Sequence, residues 1–270
     1  MKILSLCTSA GLWDKAFIEA GHEVVAGCEI MPHKRAMYEA FCGGKHLVHD
    51  MADLPDAIRG EHFDGIIGGI PCQSRSKLRA IRNPKFGDLL PAFKAVQAAC
   101  TWGWTVAENV TALDIPGFER VRMNAMNYGK PHQSRERWFT FSPNLKPPPQ
   151  LFQGDVDDLM AYSVVAGRIY GPKRGSKLQG WPEFMTLAGK FSCVQMQEAL
   201  ADGVPRGLAD AWIRQIEIDM RAQREAEQRQ RLREQLAGRA PPAFYAGDFG
   251  APALTTEPTR CPSTGELFGD

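Results

Sequence analysis

Residues 2–21 read KILSLCTSAGLWDKAFIEAG, and their order decides the fold. Residues 2–7 have the length and apolar character of a buried strand. Thr8, Ser9, Ala10 and Gly11 make a turn of small side chains. Residues 12–20 then carry apolar residues at helical spacing until Gly21 stops them. Strand, tight turn and helix open many nucleotide-binding sheets. Small side chains let the backbone approach a ligand, and the helix start offers free N–H groups to it.

Outward from this unit the pattern repeats. Val24 to Cys28 form a second strand ending at Glu29, residues 31–41 a helix, and His46 to Val48 a short strand ending at Asp50. Gly65 to Ile67 form a fourth strand, residues 89–101 a helix, and Trp104 to Ala107 a fifth strand running into Glu108 and Asn109. Residues 121–127 and Trp138 to Phe141 read as an antiparallel pair joined by Tyr128 to Glu136. Strands alternating with helices predict an α/β, Rossmann-like sheet with its site at the carboxyl edge of the strands.

This predicts a catalytic and cofactor-binding core over residues 1–141, a small insert over 142–176, and a return to the core over 177–212. A charged helix follows over 213–237, then a tail over 238–270 whose Pro, Gly, Ala and Thr content is that of a mobile segment. Lys and Arg number 32 against 31 Asp and Glu, so any polyanion must be met by a local patch. Seven cysteines, an odd number in a chain too long to need staples, fit a reducing cytoplasm. No apolar run approaches the roughly 18 residues of a membrane span, and the N-terminus does not read as a signal peptide.

Several residue groups could carry chemistry. Glu29 can accept hydrogen bonds from a ribose diol, and Asp50 from an adenine amino group. Cys42, His46 and His49 lack a convincing metal-ligand set, so no metal is expected. The strongest local signal is Gly68-Gly69-Ile70-Pro71-Cys72-Gln73-Ser74-Arg75-Ser76, a cysteine on a turn shaped by glycine and proline. Arg75, Lys77, Arg79, Arg82 and Lys85 follow it with no acid among them, which favours a thiolate and a polyanion together. Glu108 closes the neighbouring strand, where a buried carboxyl can hold a proton at neutral pH. Gln133, Arg135 and Arg137 alternate, so a strand places them on one face.

Taken together, Pro71-Cys72-Gln73, Glu108-Asn109-Val110 and Gln133-Ser134-Arg135-Glu136-Arg137 resemble the C5-cytosine DNA methyltransferase family, over about residues 3–212. The resemblance implies methyl transfer from S-adenosylmethionine to carbon 5 of a cytosine flipped out of double-stranded DNA. By it Cys72 attacks carbon 6, Glu108 protonates or hydrogen-bonds ring nitrogen 3, and Arg137, supported by Arg135, holds the carbonyl oxygen. Asn109 and Gln133 take structural roles. The cofactor falls to Cys7, Thr8, Ser9, Ala10, Gly11, Leu12, Glu29, Ile30, Asp50, Met51, Gly69, Pro71, Asp202 and Val204. DNA falls to Gln73, Arg75, Ser76, Lys77, Arg79, Arg82 and Lys85.

The chain departs from the family's pattern in three places. Cys7 stands where a phenylalanine is usual, Thr8 and Ser9 where an alanine–glycine pair is usual, and Ala201-Asp202 where a glycine–asparagine pair is usual. The interval usually holding the DNA-reading domain is only residues 138–177, which implies a short or relaxed recognition sequence or a partner subunit that supplies recognition. An inactive DNA-binding protein and an enzyme adding another group to cytosine are the alternative readings. The compact size fits a bacterial or bacteriophage restriction-modification setting.

Overall fold

The computed structural model describes residues 1–70, 87–129, 134–151 and 164–237, with the backbone alone for 164–170. Six strands form one sheet: β1 (Lys2–Leu6), β2 (Glu23–Cys28), β3 (His62–Gly69), β4 (Thr101–Asn109), β5 (Glu119–Asn124) and β6 (Glu136–Phe141). Their order is β2-β1-β3-β4-β6-β5. The first four are parallel; β6 runs antiparallel to β4, and β5 antiparallel to β6. The α/β, Rossmann-like architecture read from the sequence is therefore present, with an antiparallel pair on one edge.

The central strands are apolar on both sides because helices cover both faces. On one face α1 (Leu12–Glu19), α2 (Pro32–Cys42), α6 (Cys193–Asp202) and the first turns of α7 (Arg206–Ala237) build an aromatic-rich core. Phe17 stacks on Trp104 at 6.3 Å, and Trp212 packs against Phe139 at 5.3 Å. On the other, α3 (Leu54–Ala57) and α4 (Leu90–Ala99) press Leu54, Phe93 and Val96 onto Leu4, Phe63 and Ile66. Burying a side chain of this size contributes about 1.5–3 kcal/mol. Gly65 is the closest crossing: a Cβ there would sit 2.2 Å from the Trp104 ring, so only glycine lets β3 and β4 lie side by side.

Two local expectations differ from the structure. The strand expected over His46 to Val48 shrinks to a single parallel bridge between Val48 and Cys28. Asp50 turns the chain immediately afterwards by accepting the Ala52 N–H at 3.0 Å, which starts a 3-10 turn and ends the ladder. The charged helix expected from residue 213 instead begins at Arg206. No breaker separates the buried residues Leu208, Trp212 and Ile216 from the polar run that follows, so one helix carries both.

Helix α5 (Val164–Leu178) is interrupted where Gly171 takes a positive φ of 67° ahead of Pro172. The sheet and its covering helices lie within the compact unit Met1–Arg224, and the described part of the second unit, Glu225–Ala237, is helical. The tail over 238–270 lies outside the described residues.

Candidate active site

Parallel strands aim their carboxyl ends at one edge, and there β1, β3 and β4 release Cys7, Gly69 and Glu108 around one cleft. One wall is the turn after β1. Cys7 and Ser9 both hold positive φ values of 51°, a conformation costly for residues with a Cβ. Gly11, at φ 79°, could carry no side chain, because a Cβ would meet Cys42 Sγ at 2.5 Å and Tyr38 Cδ2 at 2.6 Å.

Hydrogen bonds hold this turn. Glu29 Oε2 accepts the Ser9 N–H and Oε1 the Met31 N–H, both at 2.9 Å. Thr8 Oγ1 lies 2.7 Å from His46 Nε2, and burial lowers the imidazole's pKa to about 4, so the ring is neutral at pH 7. The Cys7 thiol is hydrogen-bonded to Cys28, and that bond together with burial holds it well above the ordinary thiol range.

Glu108 stands opposite, 7% exposed. Burial raises its pKa, while the guanidinium groups of Arg137 and Arg135 pull it back down. Arg137 Nε lies 2.8 Å from Glu108 Oε1. Arg135 is fully turned inward: its Nη2 donates to the carbonyls of Ala201 at 2.6 Å and Gly203 at 3.1 Å, and burial brings its pKa down to about 9. Arg135 thus ties the strand carrying Arg137 to the wall formed by Asp202, Gly203 and Val204. Asn109 Nδ2 donates to Ile70 O at 2.8 Å and its Oδ1 accepts the Thr111 N–H, which fixes the backbone just ahead of Pro71.

Of the residues assigned to a cofactor from the sequence, Cys7, Thr8, Ser9, Leu12, Gly69, Asp202 and Val204 line the cleft. Ala10 is buried beneath the turn and Glu29 braces it from behind; Ile30 is exposed beside Glu29. Asp50 and Met51 belong to the 3-10 turn next to the Val48 bridge and do not line the cleft. Pro71, Cys72, Gln73, Arg75, Ser76, Lys77, Arg79, Arg82, Lys85 and Gln133 lie outside the described residues.

Sequence reading missed Lys34. Its Nζ lies 2.5 Å from Asp202 Oδ2 and its side chain is 13% exposed. Burial would lower its pKa, but the Asp202 carboxylate more than offsets this and the ammonium is held charged. Nothing in a lysine on a helix names a partner 168 residues away; only the departure at Asp202 hinted that a charge there needed an answer.

Two features of the cleft's lining fit an adenosine cofactor. The Ser9 hydroxyl is buried with no hydrogen-bond partner in it. A Cβ on Gly69 would stand 3.7 Å from Glu108 Oε2 and 4.0 Å from Cys7 O, so the missing side chain leaves space between the turn and the carboxyl. Among the described residues no cluster of three metal-ligating side chains occurs, and no helix is long and apolar enough to cross a membrane.

Residues 1–115, which hold the turn, Glu29 and Glu108, match the family model of the C-5 cytosine-specific DNA methylases. Over this stretch the chain is similar to the C-5 cytosine-specific DNA methylases. It is 33% identical over 120 residues to the type II methyltransferase M.NgoPII of Neisseria gonorrhoeae, covering 42% of this chain and 34% of that protein. It is 32% identical over 161 residues to the type II methyltransferase M.FnuDI of Fusobacterium nucleatum, covering 52% of this chain and 46% of that one. The matched stretches thus span a third to under a half of these relatives.

The fold is shared more widely. The Entamoeba histolytica methyltransferase EhMeth superposes with a TM-score of 0.60 at 10% identity, over 82% of this chain and 98% of that one. The S. pombe Dnmt2 methyltransferase gives 0.55 at 11% identity, over 80% and 98%. The likeness to C-5 methylases thus rests on the N-terminal sequence, and the shared architecture on about four-fifths of the chain.

Proposed function

We propose that this protein transfers a methyl group from S-adenosylmethionine to carbon 5 of a cytosine in double-stranded DNA. The observation that carries the reading is one cleft lined both by the turn after β1 and by Glu108. A methyl donor on the first would face a base held by the second.

When bound, S-adenosylmethionine supplies an electrophilic methyl group. Glu29, whose oxygens each already accept one backbone N–H, has further lone pairs for a ribose diol, and Ser9 Oγ offers an unused hydrogen-bonding group. In this reading Cys72 attacks carbon 6 as a thiolate, while Glu108 gives a proton or a hydrogen bond to nitrogen 3, so that the electron pair reaches carbon 5. Arg137, already on Glu108, orients that carboxyl and holds the base's carbonyl oxygen. Water takes the carbon-5 proton, and Cys72 leaves as the 5,6 double bond re-forms. Asn109 steadies the Ile70 carbonyl, two residues ahead of Cys72.

The basic residues Arg75, Lys77, Arg79, Arg82 and Lys85 take phosphates, and Gln73 and Ser76 reach the position the base vacates. The short insert implies a brief recognition sequence, or a partner subunit that supplies it. We place the protein in the cytoplasm of a bacterial cell or a phage-infected host. The free Cys7, Cys28, Cys42, Cys100 and Cys193 support that reading.

Mass spectrometry of nucleosides from unmethylated duplex DNA, incubated with the protein and S-adenosylmethionine, tests this. We expect 5-methylcytosine with the native protein and none with Cys72→Ala. Product formed equally by Cys72→Ala would overturn the covalent route. Duplex binding with no cofactor binding by calorimetry would favour a binding-only protein of the same fold.

A further inference from the structure

The second half of α7 carries a face that the sheet does not use. Its buried residues end at Asp219, yet Ile218, Leu232 and Leu236 are 60%, 55% and 57% exposed. Exposed branched apolar residues on a charged helix cost solubility and need an explanation.

Spacing supplies one. Ile218, Ala222, Glu225, Arg229, Leu232 and Leu236 follow one another at alternating steps of four and three, all of them exposed. At about 100° per residue they fall within an arc of about 80°, a seam about 27 Å long. This is the a/d pattern of a two-stranded coiled coil, with one polar layer in the middle.

The polar layer selects the partner and its direction. In a parallel pair of identical helices Glu225 would face Glu225 of the partner subunit and Arg229 would face Arg229 of the partner subunit, two like-charge contacts. Reversing one helix about Glu227 changes every layer. Ile218 then meets Leu236 of the partner subunit, Ala222 meets Leu232 of the partner subunit, and Glu225 meets Arg229 of the partner subunit. Each pair is equidistant from Glu227, so a two-fold axis satisfies all six at once: apolar on apolar, small on large, acid on base.

We propose that residues 218–236 of α7 form a docking surface for a second copy of this chain, as an antiparallel two-helix coiled coil centred on Glu227. The interface is self-complementary and independent of the methyl-transfer reading. An exposed seam of six residues gives a weak, concentration-dependent dimer, because its central layer exchanges apolar burial for register.

Sedimentation equilibrium of the full chain at increasing micromolar concentration tests it. The expected result is a mass rising from 29.9 kDa towards twice that value. Glu225→Arg sets arginine against Arg229 of the partner subunit and weakens dimerisation at least tenfold, as does Arg229→Glu. The double variant Glu225→Arg/Arg229→Glu restores the opposite charges in the antiparallel arrangement and recovers the native mass, which also shows that the helix still folds. A native protein that stays at 29.9 kDa throughout overturns the proposal, as do single variants with unchanged association or a double variant that remains monomeric.

Discussion

Arg137 Nε lies 2.8 Å from Glu108 Oε1 with both side chains about nine-tenths buried, so the Glu108 carboxyl is paired before any base arrives. Burial pushes the Glu108 carboxyl up and Arg137 pushes it down. Arg137→Gln removes that pull and leaves burial opposed by Arg135. The Glu108 midpoint, followed by carbon NMR on labelled glutamate, is expected to move to higher pH in that variant. A midpoint that stays put or falls would mean that Arg137 does not control the proton.

Gly65 and Gly69 lie on one strand and should fail differently. Gly65→Ala drives a methyl group into the Trp104 ring, where the hypothetical Cβ lies 2.2 Å away. The strands must part, and a loss of about 3 kcal/mol or more in denaturant unfolding is expected. Gly69→Ala meets nothing closer than 3.7 Å, so stability should change little while the methyl fills the cleft beside Glu108. Isothermal calorimetry with S-adenosylmethionine should then show at least a tenfold loss of affinity. Equal melting temperatures for the two variants would contradict this division.

Lys34 and Asp202 join α2 to the wall of the cleft across the helix layer. Lys34→Met unties the Asp202 carboxylate, leaving the wall to the Arg135 bonds on Ala201 and Gly203. Cofactor affinity is expected to fall several-fold and to lose part of its salt dependence, with Lys34→Arg close to native. The same loss in Lys34→Arg would assign the effect to packing rather than charge.

Asp14 gives the stability a pH dependence. Its carboxyl is 2% exposed, accepts Ser5 Oγ at 2.8 Å, and burial raises its pKa from 3.8 to about 6. The folded state therefore binds this proton more tightly than the unfolded state. That contribution is fully present below pH 4 and is lost as pH rises through 6, amounting to about 3 kcal/mol at most. Other acids titrate in the same range, so the comparison is with Asp14→Asn: relative to the native protein, the variant should gain stability between pH 4 and pH 7 in urea unfolding. A constant difference across that range would show that Asp14 does not titrate there.

The sequence by itself determined the parallel strands and the placement of Glu29, Gly69 and Glu108 at their ends, because those features rest on local periodicity and on glycines next to strands. It also carried the likeness to the C-5 cytosine-specific DNA methylases, since the turn after β1 and the Glu108 strand fall within the matched residues. Tertiary structure alone decided the rest. The third strand shrank to a bridge once Asp50 captured the Ala52 N–H, an outcome set by competition for backbone groups. Arg135 turned to the carbonyls of Ala201 and Gly203, and Lys34 met Asp202, because residues far apart in the chain became neighbours only when α6 packed against both α2 and the start of β6. Periodicity reports which face of an element is buried; it does not report which distant charge will lie against it.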